Sequence, residues 1–150
     1  MNHTFDAIDI KIITLLQQNA RMSIKEIAQQ VFLSSPAVSS RIERLEQAGV
    51  IRGYHAQMDP MLLGYHIRAF IQLNIDPVQK EEFYSLIQSI PNVIECNCIT
   101  GKYAILLEVS YPSTDELDGF INKLQCFGQT KTHMVFSTSV EHRELPVISG

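Results

Sequence analysis

Phe5, Ile8, Ile12, Leu15 and Leu16 recur at three- and four-residue spacing, the period of a helix with one apolar face. Thr4 or Asp6 can cap it, and the helix is predicted to run to about Asn19. A second helix opens where Ser23 and Glu26 form a capping box, worth about 1 kcal/mol, and Ile24, Ile27 and Ala28 supply its short apolar face. It is expected to end near Gln30. Ser34 then caps a third helix, Pro36 sits in a first turn that needs no N–H from it, and Gly49 ends the helix as a left-handed cap. A tight turn between the second and third helices makes this a helix-turn-helix unit.

Val50 to Met58 reads as a β-rich connector, and Asp59-Pro60 as the cap and first turn of a short helix stopped by Gly64. Beyond it the period changes to two. Ile67, Ala69, Ile71, Leu73 and Ile75 alternate into a first strand. A helix with Phe83, Leu86, Ile87 and Ile90 ends at Pro91, and Val93 to Thr100 forms a second strand. Gly101 to Tyr103 turn the chain into a third strand over Ala104 to Ser110. Ser113 caps a helix facing inward with Leu117, Phe120, Ile121 and Leu124, and a last strand carries Thr132, Met134, Phe136 and Thr138. The order βαββαβ predicts an α+β fold: a helix-turn-helix domain over 1–50, a β connector over 51–64, and a ferredoxin-like antiparallel sheet domain over 65–150. The second sheet face, with Phe70 and other apolar side chains, is expected to be covered by self-association into at least a dimer.

Turned at about 100° per residue, the third helix buries Val38, Ile42 and Leu45 and presents Ala37, Ser40, Arg44 and Gln47 outward, with Glu43 beside them. That face is narrow and polar, as a helix in a major groove about 12 Å wide must be. Ser34, Ser35, Pro36 and Ser39 at its start and flank, with Arg21, Lys25 and Arg41, complete the candidate contacts to double-stranded DNA, the cations and serines serving phosphates. A merely solvated amphipathic helix would show similar serines and arginines; the proline beside the cap, the capped helix before it and Gly49 favour a DNA-binding head.

The charge split supports this assignment. Residues 1–58 hold six basic and five acidic side chains, whereas the rest holds six basic and eleven acidic, so the net charge of −4 sits in the second part. No apolar run approaches the roughly 18–20 residues that span a bilayer, and no leader is evident, so a cytoplasmic protein with no membrane partner is expected. Cys96, Cys98 and Cys126 are an odd count, read as free thiols. Cys96 and Cys98 fall on one side of a strand as packing residues, and Cys126 is read as a buried thiol at a helix end. His55, His66, His133 and His142 fall in predicted β segments, without metal-ligand spacing. No nucleophile elbow and no phosphate-cradling glycine loop occurs, so neither an enzyme nor a cofactor or metal is expected.

Taken together, DAIDIKIITLLQQNAR, LSSPAVSSRIERLEQAGVIRGY, DPMLLGY, CNCITG and FSTSVEHRELP resemble, in order and spacing, the Lrp/AsnC (feast/famine) transcriptional regulators over nearly the whole chain. The run FINKLQCFGQTKTHMVFS is similar to the LrpC-like branch. The resemblance implies dimers that assemble into octamers or related rings, and an amino-acid effector bound between dimers. Carried onto this chain, the effector residues are Thr100, Gly101, Lys102, Tyr103 and Ala104, with Gln129, Thr130, Thr132 and His133 from a neighbouring dimer. One position departs: Ala104 stands where many members carry an aspartate. Losing that carboxylate removes a charge-assisted hydrogen bond to an ammonium group, worth about 1.5–3 kcal/mol.

Two alternatives follow from the same residues. An architectural DNA protein with little effector response fits Ala104. A siroheme-decarboxylase-like enzyme resembles the same two-part plan, but its polycarboxylate ligand is a poor match to an acidic second domain.

Overall fold

The computed structural model describes residues 5–148, which divide by contact into two units: one formed by residues up to 57 together with those from 141 onward, the other spanning Met58–Val140. In the first, α1 (Ala7–Gln18), α2 (Ile24–Val31) and α3 (Ser35–Gln47) follow the capping signals. Asp6 caps α1, its Oδ1 accepting from the Asp9 N–H at 2.8 Å, while Thr4 lies outside the described residues. Ser23 and Glu26 form the expected box on α2. Gly49 follows α3 with φ +71°, a conformation that costs an L side chain about 1–2 kcal/mol. Ile12, Ile27 and Val38, one from each helix, are fully buried at the centre of the head core.

Phe32 takes the left-handed conformation at the end of α2, with φ 56°, and the residue is 93 % exposed. No sequence signal marks it, because glycine or asparagine is the usual occupant of such a cap.

In the second unit, β1 (Ile67–Ile75), α4 (Lys80–Gln88), β2 (Val93–Cys98), β3 (Ile105–Tyr111), α5 (Thr114–Gln125) and β4 (Gly128–Met134) give the βαββαβ order. The strands lie in the order β2-β3-β1-β4, all neighbours antiparallel. Ala69, Ile71 and Leu73 face Val109, Leu107 and Ile105 in register and pack beneath Phe83 and Ile87 of α4 and Phe120 and Leu124 of α5. This is the ferredoxin-like sandwich, with both helices packed against one core face.

Several segments differ from the expected pattern. Residues 52–59 form no ladder, so the β connector is irregular chain without a strand partner. Residues 60–64 make a turn rather than a helix: the Asp59 carboxylate accepts from the Met61 N–H at 2.9 Å, and Gly64 ends the turn at φ +89° before a second helical turn can form. Strand β4 begins at Gly128 and ends at Met134, so Phe136 and Thr138 lie beyond it; after the Val135 N–H bonds to the Arg68 carbonyl, β1 offers no further partner. Of the histidines expected in strands, only His133 is in one. Cys126 is exposed, because α5 ends there and its side chain faces away from the core.

The C-terminal segment also differs from the expected division. Residues 141–148 pack with the head, where the Gln17 amide donates to the Leu145 carbonyl at 2.9 Å and Val147 rests against the head core.

Candidate functional site

On the head, Ser34, Ser35, Pro36, Ser40, Glu43, Arg44 and Gln47 are exposed along α3, while Ala37, Ser39 and Arg41 are half-buried. The Ser34 hydroxyl accepts from the Ala37 N–H at 3.4 Å, and Ser39 donates to Glu43 at 3.4 Å. Arg21 and Lys25, both exposed, have no side-chain ion pair among the described residues.

Arg41 and Arg44 are not free. Arg41 Nη1 donates to Asp6 Oδ2 and Asp9 Oδ1, both at 2.7 Å, and Arg44 Nη2 reaches both oxygens of Asp9 at 2.8 and 2.7 Å. Asp9 is 3 % exposed, whereas the Arg44 side chain keeps 61 % of its surface open. The backbone N–H of Asp9, followed by the Arg41 guanidinium, holds the Asp6 carboxyl below its ordinary range, and the same carboxylates raise Arg41. The helical pattern places Arg44 outward correctly, but a contact 35 residues away in sequence is invisible to it.

In the second unit an open cavity of about 670 Å³ is lined by Tyr103, Gln125, Gly128, Gln129, Thr130 and Lys131. Lys131 Nζ lies 4.5 Å from the Tyr103 ring centroid and Lys102 Nζ 5.9 Å, both within reach of a cation–π attraction. The turn that presents Tyr103 is closed by the Ile99 N–H on the Ala104 carbonyl at 2.8 Å. One chain therefore brings Tyr103 to Gln129 and Thr130, three of the nine effector candidates. Thr100, Gly101 and Ala104 belong to the same turn but do not line the cavity. Thr132 pairs with Ile71, and His133 with Phe70.

Gln125 carries no sequence signal, whereas Gly128 does, as a glycine opening a strand. A Cβ there would sit 1.9 Å from the Asn74 carbonyl oxygen, so only glycine lets β4 approach β1 so closely. None of the six lining residues is acidic, so the cavity offers a carboxylate a cation but offers an ammonium group no counter-charge.

On the sheet face away from α4 and α5, Phe70 and Leu106 are accompanied by Gln72, Asn74 and an Arg68–Glu108 ion pair at 2.6 Å. That face is more polar than expected, and the Arg68 guanidinium stacks 5.7 Å from the Phe70 ring centroid. Cys96 and Cys98 oppose Leu107 and Ile105 on the helix side; burial, then Cys98, pushes the Cys96 thiol up. No metal-ligand cluster occurs among the described residues, nor is any described helix long and apolar enough to cross a membrane.

The chain matches two family descriptions, a winged helix-turn-helix DNA-binding domain over residues 5–52 and an Lrp/AsnC ligand binding domain over 68–145. It is 33 % identical over 132 residues to the HTH-type transcriptional regulator LrpC of Bacillus subtilis, covering 88 % of this chain and 92 % of that one. The solved structure of B. subtilis LrpC superposes with a TM-score of 0.88 at 31 % identity, covering 93 % of this chain and 100 % of that one. A Neisseria meningitidis transcriptional regulator solved as its L-methionine complex gives 0.86 at 27 % identity, with 93 % and 94 % covered. The head thus matches a DNA-binding family, and the cavity lies in a unit that matches a ligand-binding one. With both domains matched in order along the chain, the protein belongs to the Lrp/AsnC family of transcriptional regulators.

Proposed function

We propose that the protein is a site-specific DNA-binding regulator that acts as a dimer-based oligomer in the cytoplasm, without enzymatic activity of its own. The observation that carries this reading is the exposed face of α3: serines at its start and middle with Arg44 and Gln47 farther along, on a helix whose start, stop and buried face are all fixed. Two such helices enter successive major grooves on one side of the duplex, about 34–36 Å apart. Ser40, Arg44 and Gln47 face base edges, while Arg21 and Lys25 contact phosphates, which orient the head without reading sequence.

The effector is a small carboxylate, with an amino acid as the class that the methionine-bound relative suggests. Lys131 holds its carboxylate, and any ammonium group is met by another copy of the chain, since the cavity walls are not acidic. Such a ligand acts by binding one assembly better than another, because equal affinity shifts no equilibrium.

The test is selection of DNA from a random pool, followed by a salt series on the enriched and scrambled sequences, with and without an amino-acid mixture. Enrichment of one motif, bound far more tightly than its scramble, supports a site-specific regulator. Equal and steeply salt-dependent binding to both sequences would identify an architectural protein instead, because counterion release dominates when no base is read.

A further inference from the structure

Two arginines on a groove-facing helix are ordinarily mobile cations that any phosphate attracts. Here their two positive charges are matched by the two carboxylates of Asp6 and Asp9. Asp9 Oδ1 accepts from both Arg41 and Arg44, so one buried carboxylate sets the spacing between two guanidinium groups that would otherwise repel each other. Both contacts from Arg44 leave from Nη2, so its Nη1 and Nε hydrogens are left for another acceptor.

We infer that Asp9 is a positioning residue for DNA selectivity: it holds Arg44 and Arg41 in one orientation toward the groove, and its charge offsets theirs so that DNA of the wrong sequence gains little. This rests on the DNA-binding reading above. Non-specific affinity grows with the number of phosphates neutralised, and cations already paired with carboxylates contribute little to it. A base edge placed where the free hydrogens of Arg44 point gains directed bonds from a side chain whose rotamer freedom is already spent. The head therefore sacrifices general attraction to DNA for discrimination.

The experiment compares the full-length protein with Asp9→Asn and Asp9→Glu on a wild-type-selected site and its scramble over a salt series, alongside urea unfolding. Asp9→Asn is expected to tighten binding to the scramble, steepen its log–log salt slope by about one, and reduce the selected-to-scramble ratio about tenfold. Asp9→Glu keeps the charge but displaces the guanidinium groups, so it should lower the ratio without tightening scramble binding. If Asp9→Asn fails to fold, Asp9→Glu alone decides the positioning claim.

Losses on both DNAs that track lost stability would make Asp9 a structural residue only, and an unchanged ratio in a folded variant would likewise overturn the inference while leaving the regulator reading intact. A wild-type protein that enriches no sequence would overturn both.

Discussion

The cations at the two candidate sites are held in opposite ways. In the head, Arg41 and Arg44 are locked to carboxylates, one of them buried; in the sheet unit, Lys131 lies over the Tyr103 ring, in a cavity without an acid in its walls. A guanidinium pinned by a carboxylate keeps its geometry and loses most of its outward field. An ammonium on an aromatic face keeps its field, because the ring stabilises it without neutralising it. Availability, rather than the number of basic residues, decides which surface draws an anion.

The largest expected effect is that of Gly128→Val. A Cβ 1.9 Å from the Asn74 carbonyl forces β4 away from β1, at an expected cost of about 3 kcal/mol or more. Amide hydrogen exchange in β1 and β4 over a urea series, with the amides of α1 to α3 as internal reference, measures it; wild-type protection in β1 and β4 would mean that β1 yields there at no cost. Lys131→Met removes the cation over the Tyr103 ring and keeps the length of the side chain. Titration calorimetry should then give about tenfold weaker binding of a small carboxylate effector, with unfolding unchanged. Full affinity retained by that variant would move the anion site elsewhere.

Phe32→Gly tests the head from the opposite direction. It relieves a left-handed backbone at a side chain that touches almost nothing, and should stabilise the head by about 1 kcal/mol in urea.

The smallest effect is a pH dependence. Asp6 and Glu26 sit below their ordinary values of 3.8 and 4.5, the first through the Asp9 N–H and then Arg41, the second through the Ser23 hydroxyl and backbone N–H. Because the folded values are depressed, their stabilisation is present above those ordinary values and is lost as the pH falls through the folded ones. Head unfolding followed from pH 6 to 3 should therefore weaken below about pH 4.5, and Asp6→Asn should flatten the lower part of that slope; an unaltered profile would mean that the charge of Asp6, facing the Asp9 N–H and Arg41, adds nothing to stability.

What the sequence made legible was local. Ser23 with Glu26, Ser34 with Pro36, and Ser113 each announce a helix within four residues of themselves, and each helix starts there. The alternation from Ile67 to Ile75 likewise matches β1 from end to end. What escaped depends on partners distant in sequence. Residues 52–59 have strand-like composition, but composition supplies no ladder without a neighbour. The Asp9–Arg44 pair and the nearness of Tyr103 to Lys131 both follow from packing, not from any period along the chain. Gly128 was visible as a glycine, but its meaning lies in the carbonyl of Asn74 across the ladder.

The return of residues 141–148 to the head makes that unit discontinuous: the polypeptide leaves it after residue 57 and re-enters it at 141. The sheet unit is thus an insertion, tethered at both ends like a bead on a closed loop. A single cut cannot release the head intact, because cleavage anywhere in the loop separates the three helices from the segment carrying Leu145 and Val147. The two units are therefore joined by two covalent connections, after residue 57 and before residue 141, rather than by one.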